Sequence, residues 1–321
     1  MGRVSLRVGC AAMRAFRFGV QARAPMEAGG WQELARQAEG LGYDILCVPD
    51  HFDRGPAPMV ALAFAAEATT TLRVGTMVLA NDFRHPAALA KEAATLDVLS
   101  NGRFELGIGA GWQTSDYQRT GIAMDRPGVR IERLGEAVAI IKELLAGETV
   151  TFSGQHYTID GLEGLPEPVR QGGPPLFVAG GSERVLRLAA RTADIAGVNP
   201  NMAAGVIDER VGPSATVEAT EAKIEWIRES AGERFVELEL HSRVHVASIT
   251  NDGRGLAEAL APAMGLDTDR ALASPHSMIG TVEEVVDKLV RQREELGISY
   301  IGLSAESMEE MAPVVARLAG T

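Results

Sequence analysis

Cysteine and long apolar runs are both scarce in this sequence. Cys10 and Cys47 are the only cysteines among 321 residues, too few for a disulfide framework and compatible with a reducing cytoplasm. No apolar stretch reaches the roughly 18 residues needed to cross a bilayer. The opening segment carries positive charge and a cysteine, but its short apolar run is interrupted by Arg7, which argues against a secretory or lipoprotein signal. We therefore expect a cytoplasmic protein in which residues 1–13 form a loose leader and residues 14–321 a single domain.

Excess positive charge and the common hydrolase and metal motifs are also lacking. The formal net charge of −12 would repel nucleic acid and anionic lipid, so we expect neither as a partner and a small-molecule substrate instead. The sequence contains no G-x-S-x-G turn, no H-E-x-x-H and no Cys/His spacing suited to zinc. His241 and His245 lie four apart on a predicted strand and would share a face. Because no third ligand is evident nearby, we expect core or wall histidines and no metal.

Short apolar, β-branched runs alternate with longer amphipathic segments from Phe16 onward. Such alternation is typical of repeated βα units around a parallel sheet. The predicted strands span residues 16–21, 45–49, 72–78, 104–108, 176–179, 195–198, 238–246 and 300–303. Eight strands favour a closed (β/α)₈ barrel, the TIM-barrel architecture, over an open sheet.

Several segments interrupt this alternation. The stretch 148–174 indicates a β-hairpin around Ser153–Gly154, residues 199–220 are rich in Gly, Pro and small side chains, and residues 265–280 are rich in turn formers. We expect these insertions, together with 112–125, to lie at the carboxyl-terminal mouth of the barrel. Loops there vary freely on one scaffold and would determine the substrate.

The residues that follow the second and third strands are candidates for chemistry, because barrel active sites gather where strands end. Asp50 and His51 directly follow strand two. His51 is suited to hydrogen-bond a reacting ring or to act as acid or base near neutral pH, with Asp50 fixing its orientation or meeting a cofactor hydroxyl; the alternative is a histidine that caps a loop. After strand three, Gly75 would let the backbone approach a flat ring. Arg84 would meet an anion or cap the turn, and His85 is expected to cap the following helix.

Glycine-rich turns follow the fourth and fifth strands. L-G-I-G-A-G-W at 106–112 resembles a dinucleotide loop only superficially, because Trp112 occupies the sixth place. These glycines instead indicate a loop against a planar ligand, although Trp112 would equally serve to pack an insertion. Gly180, Gly181 and Ser182 precede an amphipathic helix whose first amides can hold a phosphate. An ordinary turn with Ser182 as the N-cap accounts for the same spacing.

Taken together, these motifs resemble a known enzyme family. V-P-D-H-F, the run R-H-P-A-A-L-A-K-E, the stretch D-V-L-S-N-G-R-F-E-L-G-I-G-A-G-W and the run F-V-A-G-G-S-E-R are similar to the luciferase-like superfamily, in its branch of F420-dependent oxidoreductases, over about residues 16–310. The resemblance implies a (β/α)₈ barrel that transfers hydride between C5 of deazaflavin F420 and a small organic substrate. The alternatives are an FMN-dependent monooxygenase that uses reduced flavin and oxygen, and a non-catalytic flavin-binding barrel. A homodimer through segments 59–68 and 86–99 is also implied.

The resemblance assigns roles to individual residues. His51 matches an active-site histidine beside the reactive carbon of the ring, and Asp50 matches its neighbour on the ring or ribityl chain. Met77–Val78 corresponds to a bulge that carries a non-prolyl cis peptide. The residues implied to bind the cofactor are Asp50, Met77, Val78, Ala110, Gly111, Gly180, Gly181 and Ser182.

One departure from the family pattern concerns the substrate. Trp112 stands where some sugar-phosphate dehydrogenases of this branch carry a Glu proton donor, and Arg54–Gly55 stands where they carry an aromatic residue. We count Trp112 with His51 and Asp50 among the catalytic candidates. Because the proton donor is replaced, we expect a more apolar substrate than a sugar phosphate.

Overall fold

The chain folds into a closed barrel of eight parallel strands, the predicted (β/α)₈ architecture. A computed structural model describes residues 13–321, so the predicted leader lies outside the described residues except for Met13. Each strand pairs with its neighbours in chain order, and pairing between the first and last strands and between the third and fourth completes the ring. The strands are β1 (Arg17–Gln21), β2 (Ile45–Val48), β3 (Arg73–Thr76), β4 (Phe104–Gly109), β5 (Leu176–Gly180), β6 (Ile195–Val198), β7 (Glu239–Arg243) and β8 (Ile298–Ser304).

Helices pack around the outside of the barrel and in the loops at its mouth. They are α1 (Gly30–Gly40), α2 (Pro58–Glu67), α3 (Pro86–Leu99), α4 (Thr114–Thr120), α5 (Pro127–Leu145), α6 (Glu183–Thr192), α7 (Val217–Ala231), α8 (Gly253–Leu260), α9 (Thr268–Ala273), α10 (Val282–Leu296) and α11 (Met308–Leu318), with 3-10 turns at Asn81–Phe83, Glu209–Ser214, Gly232–Glu237 and Ala305–Ser307. His85 caps α3 by accepting from the Ala87 amide, as predicted. Within residues 13–321, no helix has both the length and the apolar character to span a membrane.

Ion pairs plug the amino-terminal end of the barrel. Arg17 of β1 lies 2.5 Å from Glu105 of β4 and 2.6 Å from Glu239 of β7, and Arg73 of β3 also pairs with Glu105. Burial disfavours the charge of Arg17, but the two carboxylates outweigh this effect and raise the pKa of its guanidinium. The ring of Tyr300 lies 4.7 Å from the same guanidinium. Because these side chains fill the amino-terminal end of the barrel, a ligand has to enter at the carboxyl-terminal mouth.

The predicted seventh strand is two strands. β7 ends within the predicted range 238–246, and Val246–Ile249 pairs instead with Ser277–Gly280 in a separate two-stranded parallel sheet. Between them, the amide of His245 donates to the carbonyl of His276 at 2.8 Å, which redirects the chain away from the barrel. The single-strand prediction was wrong because the β-branched pattern continues across this change of partner.

The predicted hairpin is present and lies against α5. Thr149–Ser153 pairs antiparallel with Thr158–Glu163. Glu136 of α5 accepts hydrogen bonds from three successive backbone amides of the hairpin turn, those of residues 155–157. Burial raises the pKa of the Glu136 carboxyl, but the three hydrogen bonds lower it by more, so its pKa lies below the usual value. The hairpin is thereby held beside the barrel.

Candidate active site

A cavity of about 430 Å³ opens at the carboxyl-terminal mouth, and residues at or just after the ends of all eight strands line it. The predicted catalytic and cofactor-binding residues all line this cavity, whereas Gly75, Arg84 and His85 do not. The lining residues are Asp50, His51, Met77, Val78, Ala110, Gly111, Trp112, Gly180, Gly181 and Ser182. Of the predicted mouth insertions, 112–125 and 199–220 contribute to the lining. Residues 148–174 and 265–280 do not line the cavity, so their expected part in determining the substrate stays a prediction.

His51 is held by a carboxylate that sequence reasoning missed. Its Nδ1 lies 2.7 Å from Oδ2 of Asp116, at the start of α4, and the other oxygen of Asp116 accepts from the Phe52 amide. The Trp112 ring meets the His51 ring edge-on at 5.7 Å between centroids. An Nδ1–H bond to the carboxylate leaves Nε2 as the atom available for proton transfer. The signal that would have found Asp116 is its place in the insertion following β4.

Asp50 does not orient His51, contrary to one of the two predicted roles. Its carboxylate forms a two-pronged ion pair with Arg84, at 2.5 and 3.0 Å, and accepts from the Ala80 amide at 3.0 Å. These contacts tie the loop after β2 to the segment after β3. Arg84, predicted to meet an anion or to cap a turn, therefore meets the anion supplied by Asp50.

The wall after β3 has the conformation that the resemblance implies. The peptide bond between Met77 and Val78 is cis. Gln21, at the end of β1, donates from Nε2 to the Met77 carbonyl at 2.6 Å, and Gln21 accepts in turn from Arg243 of β7. A chain of polar contacts thus crosses the mouth from β3 to β7.

Glycine is required in the two turns after β4 and β5. A Cβ on Gly181 would lie 2.3 Å from the Pro200 carbonyl oxygen, and one on Gly111, whose φ is +73°, would lie 1.9 Å from the Tyr117 hydroxyl. Ser182 is the N-cap of α6, but its side chain makes no capping hydrogen bond. The first amides of α6 therefore keep their capacity to bind an acceptor other than the Ser182 hydroxyl.

Arg130 is a second functional candidate that the sequence did not reveal. It lies in the first turn of α5, lines the cavity, and donates to the carbonyls of Ala110, Gly111 and Asp125. All of these acceptors are neutral, so the guanidinium charge is not compensated by a hydrogen-bonded carboxylate. Nothing in its local sequence distinguishes Arg130 from an exposed helix arginine.

His241 of β7 and His245, which follows the end of that strand, both line the cavity. His241 is fully buried between Phe177 and Tyr300, with ring centroids 4.9 and 4.6 Å away, and burial lowers its pKa well below the usual value. No three His, Cys, Asp or Glu side chains in residues 13–321 are grouped as metal ligands. His241 is therefore a neutral imidazole at physiological pH.

We expect His276 to make the fold acid-sensitive. Burial, reinforced by neighbouring His245, lowers the pKa of His276 to about 3 from 6.5. Because the pKa of His276 is lower in the folded than in the unfolded state, protonation of His276 favours unfolding. The free energy of unfolding therefore loses nothing through His276 above pH 6.5 and decreases as the pH falls toward 3. At about 1.4 kcal/mol per pH unit, His276 accounts for roughly 3 kcal/mol of the unfolding free energy lost between pH 6.5 and 4.

We expect His276→Gln to flatten this pH dependence. Urea denaturation of both proteins between pH 7 and pH 4 measures the two slopes. Parallel slopes would show that His276 does not carry the effect, whatever the absolute stability of the variant.

Comparison with known proteins gives the same architecture. A family model described as luciferase-like monooxygenase matches residues 12–222. The F420-dependent glucose-6-phosphate dehydrogenase of Kineococcus radiotolerans is 34% identical over 170 residues, covering 50% of each chain, so the match spans about half the length of that relative. The crystal structure of monooxygenase RslO1 from Streptomyces bottropensis aligns at 25% identity with a TM-score of 0.71, covering 94% of this chain and 97% of that one. The F420-dependent tetrahydromethanopterin reductase from Methanopyrus kandleri aligns at 17% identity with a TM-score of 0.73, covering 95% and 100%, which supports the fold alone.

Proposed function

Because the chain belongs to the luciferase-like monooxygenase family, we propose that it is a cytoplasmic oxidoreductase that uses coenzyme F420 to reduce or oxidise a small organic molecule. The observation that carries this proposal is the convergence of His51, Met77–Val78, Gly111 and the Gly180–Ser182 turn on one cavity. A single elongated ligand can contact all of them. The name of the Kineococcus radiotolerans relative favours F420 over other flavins.

The residues present fit a phosphate-bearing planar cofactor. The turn at Gly180–Ser182 has no room for a Cβ at Gly181 and leads into the amino-terminal end of α6, where main-chain amides favour a phosphate. Arg130 adds an uncompensated positive charge beside Ala110–Gly111. Met77 and Val78 line the cavity and would support one face of the ring. When bound, F420 supplies the carbon that gives or accepts the hydride.

His51 is proposed to move the proton that accompanies hydride transfer. The Asp116 carboxylate fixes the imidazole through Nδ1, so Nε2 is the atom that donates to, or accepts from, the substrate oxygen. Trp112 packs against the imidazole and limits its rotation. A sugar-phosphate substrate is not expected, because Trp112 occupies the position of the Glu proton donor of such dehydrogenases.

Side-by-side titrations with F420 and FMN test the proposed cofactor. We expect F420 to bind at least tenfold more tightly than FMN, measured by fluorescence and calorimetry. FMN is the alternative that the resemblance to luciferase-like monooxygenases implies, and the structural similarity to monooxygenase RslO1 keeps a monooxygenase reaction as the second candidate. Tighter binding of FMN, with oxygen-dependent turnover of FMNH₂, would replace the proposal with a monooxygenase; no binding of either would leave a barrel without this chemistry.

We further propose a homodimer through α2 and α3. Val60 and Phe64 of α2 and Leu99 of α3 are 61, 55 and 72% exposed, so this apolar surface is open in the single chain. We expect Phe64→Lys to convert a dimer into the 34.1 kDa monomer in light-scattering measurements. Val236→Lys is the matched control, because Val236 is 64% exposed elsewhere. A wild-type protein that is already monomeric at micromolar concentration contradicts the proposal.

A further inference from the structure

Among the described residues, Arg243 carries a positive charge in the cavity without an ion-pair partner. It is the last residue of β7, and its guanidinium donates to the Gln21 side chain at 3.2 Å, the Gly302 carbonyl at 3.1 Å, the Ser304 hydroxyl at 2.7 Å and the Val244 carbonyl. All four acceptors are neutral. A guanidinium has five N–H donors, so one N–H of Arg243 remains without an acceptor among the described residues.

Among the described residues, the other charged side chains near Arg243 form no ion pair with its guanidinium. Arg84 pairs with Asp50 and Arg23 pairs with Asp53, whereas no described carboxylate lies within the 4.0 Å of an ion pair with Arg243. Burial lowers the pKa of Arg243 to about 10, and Glu306 opposes this effect only through space. Arg243 therefore remains charged at neutral pH. A partly buried cation with neutral partners is stabilised when an anion joins it.

Ser304 supplies a second donor at the same place. Its Oγ accepts from Nη2 of Arg243, and its own O–H has no acceptor among the described residues. The unused N–H of Arg243 and the O–H of Ser304 thus lie on neighbouring atoms, and both residues line the cavity. Two adjacent donors beside a fixed positive charge match the two oxygens of a carboxylate.

The order of the strands separates this site from the proposed phosphate turn. Arg243 and Ser304 lie at the ends of β7 and β8, next to β1, while the turn at Gly180–Ser182 follows β5. His51, after β2, lies on the side of β1 away from β8. A molecule held at β7 and β8 can therefore extend past β1 toward His51 without occupying the phosphate turn.

We propose that Arg243 and Ser304 form a carboxylate subsite and that the substrate is a small organic acid. That the bound acid is the substrate rests on the proposed function. That Arg243 and Ser304 bind a carboxylate does not, because it is argued only from the contacts of these residues. Gln21 and the Gly302 carbonyl position the guanidinium. A small organic acid agrees with the expectation of a substrate more apolar than a sugar phosphate.

Calorimetric titration with butanoate and benzoate, each compared with its neutral amide, tests the subsite. The protein is titrated both free and loaded with F420. We expect each carboxylate to bind at least tenfold more tightly than its amide, because only the carboxylate compensates the charge of Arg243. Arg243→Gln should remove this preference, and Ser304→Ala should weaken it several-fold. Arg36→Gln, at an exposed side chain of α1, is the control with the same change in charge and should leave the preference for carboxylates unchanged.

Two outcomes overturn the subsite, and a third separates it from the proposed function. Equal affinity of the wild-type protein for acid and amide excludes the subsite. This comparison needs no variant, so it remains valid if the Arg243→Gln protein folds poorly. A variant that loses affinity for F420 and keeps its preference for acids would assign the guanidinium to the cofactor. Carboxylate binding by a protein that binds no F420 would support the subsite and remove the proposed function.

Discussion

His51→Ala is expected to lower kcat by about 10²–10⁴-fold, the usual contribution of a positioned acid–base group, while the affinity for F420 stays within a few-fold. The imidazole lines the cavity and is fixed through Nδ1 by Asp116 at 2.7 Å, so its removal eliminates proton transfer without opening the phosphate turn. The measurement is the single-turnover absorbance change of F420 with the acid that the wild-type protein converts fastest, together with a separate titration of F420.

Two further variants separate proton transfer from a general loss of structure. Asp116→Asn keeps the size of the side chain but removes the charge facing Nδ1, and we expect it to lower kcat by roughly 10-fold or more, since the preferred tautomer of His51 is no longer enforced. His85→Ala is the control, because His85 caps α3 and does not line the cavity. Turnover by His51→Ala at the wild-type rate would exclude His51 as the proton-transfer residue.

The barrel and the residues that follow its strands were predictable because their signals are local. Each β-branched run and the polar or glycine-rich turn after it lie within about ten residues, and barrel topology places all such turns at one mouth. Asp50, His51, Gly111 and Gly181 could therefore be identified without coordinates, and they do lie on one cavity. Identifying these residues required the order of the strands along the chain and no knowledge of side-chain contacts.

Side-chain partners were not predictable in the same way. His51 and Asp116 are 65 positions apart, and Gln21 and Arg243 are 222 apart, so no sequence window contains both members of either pair. The neighbouring Asp50 was the natural guess for the partner of His51, but its carboxylate is directed to Arg84 instead. Whether two adjacent polar residues share a partner depends on how the loop turns.

Gly181→Ala is expected to reduce F420 affinity by at least 100-fold, or more than about 2.7 kcal/mol. The new Cβ would lie 2.3 Å from the Pro200 carbonyl oxygen and 2.6 Å from Cα of Asn201. Because these are backbone atoms, the turn after β5 and the loop after β6 have to separate. The amides proposed to hold the phosphate then lose their common orientation. Fluorescence titration with F420 measures the loss.

Matched variants decide whether the loss comes from the turn itself. Gly40→Ala adds the same methyl group where no atom lies within 4 Å, so its affinity for F420 should equal that of the wild type. Ser182→Ala removes a hydroxyl that makes no capping bond and should change the affinity less than threefold, because main-chain amides and not the serine side chain are proposed to hold the phosphate. If Ser182→Ala weakened binding as much as Gly181→Ala, the hydroxyl would be the principal phosphate ligand, and the role assigned to the amides would be wrong.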